Sequence, residues 1–358
     1  MEKGQLQIAF GTTAEQMKAL YFNATQLKEV AYKLYQLNSK GERYYYFFNA
    51  DGEPVFFPSV TTILHKCAPE NKVLTEWKMR LGKEAAEDYT NERASYGTFL
   101  HSLIEKLIIA QTLNLDEIKD LLDKYVEREK LPYGFVESHI EEAKADIVAF
   151  AKWMRDYDVR PYAVEIALCS PTLGCAGMID LVANIREYPI DKEREAVEKA
   201  GEDAKKVAQA KAKYGQRLDA IIDFKSGKKG FYDSYAQQLD IYRQMWNESF
   251  SDTPIERIFN IAPKEWMGTA KKQPSYNFEE QTENPAIAKV PYILALFACE
   301  EEKERKIVNI SGVIDLKADA GNNVQVYNLA DLVKQHRAEV DAEEVDETTL
   351  DDDFDTLF

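Results

Sequence analysis

The sequence predicts an α/β fold, and three observations predict it. Helical patterning dominates from about residue 58 to about residue 157. Short apolar runs with strand character then alternate with helical stretches to about residue 316. Of the 358 residues, 45% are apolar, ample for a buried core and one to two domains. No run approaches the ~18 apolar residues of a membrane span. The opening Met1-Glu2-Lys3-Gly4-Gln5 lacks the basic-then-apolar pattern of a signal peptide, so an intracellular, cytoplasmic protein with no membrane partner is expected. Cys67, Cys169, Cys175 and Cys299 show no CxxC pairing, which argues against a disulfide framework or a zinc ribbon.

Taken in order, residues 1–57 form a lead-in. Met17, Leu20, Tyr21, Leu27, Val30, Leu34 and Leu37 recur at mostly three- and four-residue spacings, which predicts an amphipathic helix over 14–37. An aromatic hairpin follows. Arg43-Tyr44-Tyr45-Tyr46-Phe47-Phe48 is strand-like, Asn49-Ala50-Asp51-Gly52 has turn chemistry, and Pro54-Val55-Phe56-Phe57 returns. Ser59 or Thr61 can cap the next helix. Pro161 fits a break between the helical region and two strands, Ala163–Leu168 and Ala176–Ile185.

Between Glu187 and Arg217 the composition turns to Ala, Lys and Glu, with eight basic residues from Lys192 to Arg217, which predicts a solvated helical insertion. The apolar strand Leu218–Phe224 resumes the core. A helix over Tyr235–Trp246, a strand over Ile255–Ile261, a helix near 292–306 and a strand over 306–316 complete the folded part, to residue 338. Residues 339–358 are acidic and low in apolar content, so disorder is expected there.

The net charge is −17, but the last 20 residues hold ten acids and no Lys or Arg, leaving −7 for the rest. Bulk charge therefore gives no support to nucleic-acid binding, which would need a local basic surface or bound cations.

Four groups of residues can carry chemistry. In Gly97-Thr98-Phe99-Leu100-His101-Ser102-Leu103-Ile104-Glu105, steps of four place Gly97, His101 and Glu105 on one helix face. An imidazole there can ligate a divalent metal and the carboxylate can orient it; alone, the pattern more readily fits a half-buried His and a surface Glu. In Gly177-Met178-Ile179-Asp180, Asp180 sits inside an apolar strand, which is costly unless it is paired, binds metal or faces water at the strand end. Glu165 lies on the preceding strand, where a hairpin brings it near Asp180; the plainer reading is an outward-facing carboxylate.

In Ile222-Asp223-Phe224-Lys225, alternation points Asp223 and Lys225 to the same side, a carboxylate to hold metal beside an amine to hold or activate water. The D/E-x-K spacing is weak alone, because Glu76-Trp77-Lys78, Glu301-Glu302-Lys303 and Asp315-Leu316-Lys317 share it. Gln238 and Tyr242, one helical turn apart, can both contact a phosphate or a base, or be a solvent Gln and a buried Tyr.

The order GxxxHxxxE, Glu-bearing strand, GxxD, DxK, QxxxY resembles that of the PD-(D/E)XK nuclease superfamily in its RecB-like branch, over roughly Pro58 to Ile261. The stretches Phe57–Leu64 and Trp77–Gly82 look like the entry to the catalytic domain of phage-type exonucleases and of the mitochondrial genome-maintenance exonuclease. Asp315-Leu316-Lys317 has no Gln/Tyr helix after it, so Asp223 and Lys225 take the motif. The resemblance implies a restriction-endonuclease-like core over 58–338, a central mixed sheet flanked by helices. It implies His101, Asp180, Asp223 and the Phe224 carbonyl as metal ligands, and Lys225 as the residue positioning the water and the scissile phosphate. Gln238 and Tyr242 would position nucleic acid, with Glu105 and Glu165 in support.

The implied activity is Mg²⁺- or Mn²⁺-dependent hydrolysis of DNA, as an exonuclease in phage-type replication, recombination or processing. The expected substrate is single-stranded DNA or DNA ends, with the aromatic hairpin and Tyr242 available to stack bases. A structure-specific endonuclease, an RNase, or a DNA-end-binding or replication-scaffold protein with a vestigial site are the alternatives. The cysteines lack the clustering of relatives that hold an iron–sulfur cluster, so none is expected. The terminal Asp351-Asp352-Asp353-Phe354-Asp355-Thr356-Leu357-Phe358 is similar to the acidic, Phe-ending tails of single-stranded-DNA-binding proteins. Such a tail docks a replication or recombination protein, mimics DNA over the cleft, or only keeps the chain soluble.

Overall fold

The computed structural model describes residues 34–39, 42–49, 54–69, 72–132, 134–227, 230–264, 273–300, 306–310 and 324–328. Strands β1 (Tyr35–Ser39), β2 (Glu42–Phe48) and β3 (Pro54–Pro58) form an antiparallel sheet in that order. The aromatic hairpin is thus β2–β3. The expected helix does not reach Leu37, because residues 35–39 are a strand. Tyr35 pairs with Tyr46 and stacks on its ring at 5.2 Å, a cross-strand contact that overrides the local helical spacing. The rest of that expected helix, before residue 34, lies outside the described residues.

Five helices follow: α1 (Val60–Cys67), α2 (Lys72–Leu81), α3 (Lys83–Ala110), α4 (Ile118–Glu129) and α5 (Phe135–Asp156). Ser59 caps α1 by accepting a hydrogen bond from the Thr62 N–H at 3.0 Å. The main sheet comprises β4 (Arg160–Ser170), β5 (Cys175–Arg186), β6 (Arg217–Phe224), β7 (Arg257–Pro263) and β8 (Tyr276–Glu280), in that spatial order. It is mixed: β6 and β7 are parallel, the other pairs antiparallel. The parallel pair needs a crossover, which α8 (Asp233–Ser249) supplies. Helix α9 (Val290–Glu300) and the pair β9 (Lys306–Ile310) and β10 (Val324–Asn328) follow. The sequence reading did not anticipate β8, a short strand paired, among the described residues, with β7.

The insertion is a pair of helices, α6 (Ile190–Ala200) and α7 (Ala204–Tyr214), with no buried residue in either. It joins β5 to β6 beyond the pair Arg186↔Arg217. Asp180 is six residues back along β5, ~20 Å at ~3.3 Å per residue. The inserted chain therefore sits at the opposite end of the strands from the motif carboxylates.

The core gathers along the sheet. Phe224 packs edge-on against Phe150 of α5 at 5.1 Å, and Trp153 of α5 meets Phe278 of β8 at 5.3 Å. On the neighbouring residue, Lys225 reaches Gln238 of α8 instead. Among the described residues no helix is long and apolar enough to cross a membrane. The tail after 338 and Asp315-Leu316-Lys317 lie outside the described residues.

Candidate functional site

The β5–β6 ladder ends at the pair Leu181↔Ile222. One position on, Asp180 replaces the missing backbone acceptor: its Oδ2 accepts the Phe224 N–H at 2.7 Å. That leaves Oδ1, which lies 3.8 Å from His101 Nδ1. β6 meanwhile stays paired with β7 through Asp223↔Asn260 and Phe224↔Ile261, so the chain is held rigid up to Lys225.

Helix α3 lies along this end of β6 with one stripe. Arg93 donates from Nη2 to the Ser226 carbonyl at 3.2 Å. Gly97, a turn later, approaches so closely that a Cβ there would lie 3.2 Å from Ser226 Oγ. His101, the next turn, has Nε2 3.2 Å from the Phe224 carbonyl oxygen and Nδ1 3.3 Å from Glu165 Oε1. Glu105, a turn further, is buried and lies outside the ligand group that gathers around His101.

Glu165 is not an outward-facing carboxylate. It is 2% exposed and its backbone has φ +49°, the left-handed region that a non-glycine residue enters at a cost of roughly 1–3 kcal/mol. Its neighbours Val164 and Ile166 pair with Leu181 and Ile179, so the residue between them lies across from Asp180. Ligand atoms of His101, Glu165 and Asp180 all lie within 4.8 Å of one another.

Asp223, 1% exposed, occupies an adjoining position. Its oxygens accept from Lys225 Nζ at 2.7 and 2.9 Å and from Asn260 Nδ2 at 2.7 Å. Lys225 also donates to Gln238 Oε1 at 3.2 Å and lies 4.5 Å from the centre of the Tyr235 ring. Gln238 Nε2 in turn donates to the Tyr242 hydroxyl at 3.0 Å. Tyr242 packs against β5 where a side chain would not fit: a Cβ at Gly177 would lie 2.7 Å from Tyr242 Cε1. The four sequence groups thus meet at one end of the sheet.

Burial and charge compete in this site. Burial lifts Asp180 to about 6, aided by Glu165 and opposed by His101 and Lys225. Burial likewise lifts Asp223 to about 6 against the pull of Lys225. Burial disfavours the imidazolium of His101, but Asp180 and Glu165 outweigh it and raise the group to about 9. Burial also opposes the Lys225 ammonium, which the Asp223 and Asp180 carboxylates overcome and hold charged.

The donors fit a hard divalent cation: two buried carboxylates, one imidazole and one backbone carbonyl, with no thiolate among them. The two ring nitrogens of His101 bridge Glu165 and the Phe224 carbonyl, where a cation would compete for the same oxygens. Asp223 can join such a set through Oδ1, which accepts from Lys225 and keeps a second lone pair, whereas Oδ2 accepts from both Lys225 and Asn260.

Sequence reasoning missed two supports. Asn260 is fully buried, and an Asn inside Ile258-Phe259-Asn260-Ile261 carries the same signal of a costly buried polar group that singled out Asp180. Arg93 lies one turn before Gly97 on the same face. Its Nη1 bonds Glu142 at 2.9 Å, which also meets His139 Nδ1 at 3.1 Å, so a second helix, α5, braces it.

No protein-family model matches the chain, and no curated protein matches it.

Proposed function

We propose that the chain is a metal-dependent DNA nuclease of the PD-(D/E)XK type, of the RecB-like exonuclease branch, acting in DNA replication, recombination or processing. The observation that carries this reading is the meeting of Asp180, Glu165 and His101 with the Asp223–Lys225 pair at the end of β6. His101, Asp180, Glu165 and the Phe224 carbonyl would hold Mg²⁺ or Mn²⁺, with Asp223 completing the set. When bound, the metal polarises the scissile phosphate and lowers the pKa of a water.

The chain's own residues do the rest. Lys225 presents a fixed positive charge to the phosphate as negative charge builds on it. Asp223, Gln238 and Tyr235 hold that ammonium in place, and Tyr242 holds Gln238. The Asp180 carboxylate ties its own position to the Phe224 backbone, so the ligands and Lys225 share one rigid strand end.

The test is digestion of 5′- and 3′-labelled single- and double-stranded DNA in Mg²⁺, Mn²⁺ or EDTA, beside a circular substrate. Metal-dependent shortening of linear DNA with circles left intact supports the exonuclease. Cleavage of circles supports an endonuclease, and binding without cleavage in any metal supports the end-binding alternative.

A further inference from the structure

A groove of about 680 Å³ opens beside Lys225, between α1, α2 and the start of α8. Besides Tyr235 and Gln238, which touch Lys225, its walls carry residues that the metal site does not use. Lys72 and Lys78 of α2 line it, and both are exposed, with no carboxylate in ion-pair range among the described residues. Lys289 also lines it but is paired with Asp233 at 3.6 Å. The free charge on this groove is therefore positive, on a protein of net charge −17.

Helix α2 has no buried residue, so its lysines are not there to support a core. The opposite wall offers Tyr232, whose ring meets Tyr235 edge-on at 5.3 Å, and Tyr235 in turn lies under Lys225.

We propose that this groove binds the backbone of an unpaired DNA strand and leads it to Lys225, an inference that rests on the nuclease reading above. Lysines on one wall match phosphates, and aromatic rings on the other match unpaired bases, the pairing that sequence-tolerant single-strand sites use. The volume falls within the ~300–1,000 Å³ of clefts that hold small ligands. It suits a short stretch of single strand and not the girth of a duplex.

The test is fluorescence anisotropy with a labelled oligothymidylate in EDTA, so that binding is read without cleavage. The variant is Lys72→Glu/Lys78→Glu. The control is Lys205→Glu/Lys211→Glu on the exposed α7, which changes net charge equally at the far end of the sheet. The groove variant should lose ~10-fold or more in affinity, and its log–log salt slope should shrink by ~1.4, from two phosphate contacts at ~0.7 each. The control should bind as wild type does.

Equal loss in both variants, no loss in the groove variant, or no wild-type binding would overturn the proposal. So would tighter binding of blunt duplex, or of oligouridylate, than of oligothymidylate. Failure here and failure of the nuclease reading are separable. Metal-dependent cleavage with unaltered binding by the groove variant removes the groove alone; groove-dependent binding without cleavage in any metal removes the nuclease alone.

Discussion

Gly177→Ala replaces a hydrogen with a methyl group, and the structure says where it collides. The new Cβ would lie 2.7 Å from Tyr242 Cε1, 3.3 Å from its hydroxyl and 3.4 Å from Cζ. Comfortable carbon contacts are ~3.5–4.0 Å, so the ring has to withdraw by roughly 1 Å. Tyr242 is 3% exposed and sits on α8 in the core, so it has little room to move. Overpacking of this kind costs ~1–3 kcal/mol.

Displacement also travels: the Tyr242 hydroxyl holds Gln238, and Gln238 holds Lys225. The expected outcome is a lower melting temperature, by ~2–4 °C for each kcal/mol in a domain of 150–250 residues. Single-turnover cleavage should fall ~10-fold or more, since ~1.4 kcal/mol of lost transition-state stabilisation is tenfold. Thermal unfolding and cleavage are measured on Gly177→Ala, Tyr242→Leu and the double variant. Leu lacks the clashing ring carbon, so the double variant should recover stability relative to the sum of the singles. Wild-type melting and cleavage in Gly177→Ala, or strictly additive losses in the double variant, would refute the reasoning.

Three further outcomes follow from the same geometry. His101→Ala should weaken Mg²⁺ or Mn²⁺ binding ~10–100-fold or more by calorimetry while DNA binding in EDTA stays unchanged; an unaltered metal dependence would make His101 structural. Folding raises His101 from 6.5 to about 9 and Asp180 and Asp223 from 3.8 to about 6. Their stabilisation of the metal-free fold is full below the unfolded values and lost as pH rises through 6 and then 9, so its melting temperature should decline over that span. The gain from added Mg²⁺ should grow over the same span, because metal and proton compete for the site, and His101→Gln should flatten the part between pH 6.5 and 9. Asn260→Ala removes a donor from a buried carboxylate and should cost ~1–3 kcal/mol in chemical denaturation with a matching loss of cleavage; unchanged stability would mean water replaces it.

Much of this was legible in residue spacing. The apolar runs around Asp180 and Asp223 mark two strands of one sheet, and period-two alternation puts Lys225 beside Asp223. The i, i+4 step of His101 from Gly97 marks the helix face that meets them. Other features were not legible. The period of a strand assumes extended backbone, and Glu165 departs from it with a positive φ, which only the surrounding packing can impose. Tyr35–Ser39 forms a strand because β2 offers an edge, a long-range partner that local spacing does not record. Arg93 acts through a carbonyl 133 positions away, and no pattern within one helix announces that.

The most direct test of the account is single-turnover cleavage of an end-labelled DNA strand by wild type, Lys225→Ala and Asp223→Ala in Mg²⁺, with circular dichroism confirming the fold of each. Removal of one preorganised charge at such a site costs ~10²–10³ in rate. The account predicts metal-dependent cleavage by wild type and losses of at least that size in both folded variants. Undiminished cleavage by both, in preparations free of contaminating nuclease, would contradict it and direct attention to Asp315 and Lys317.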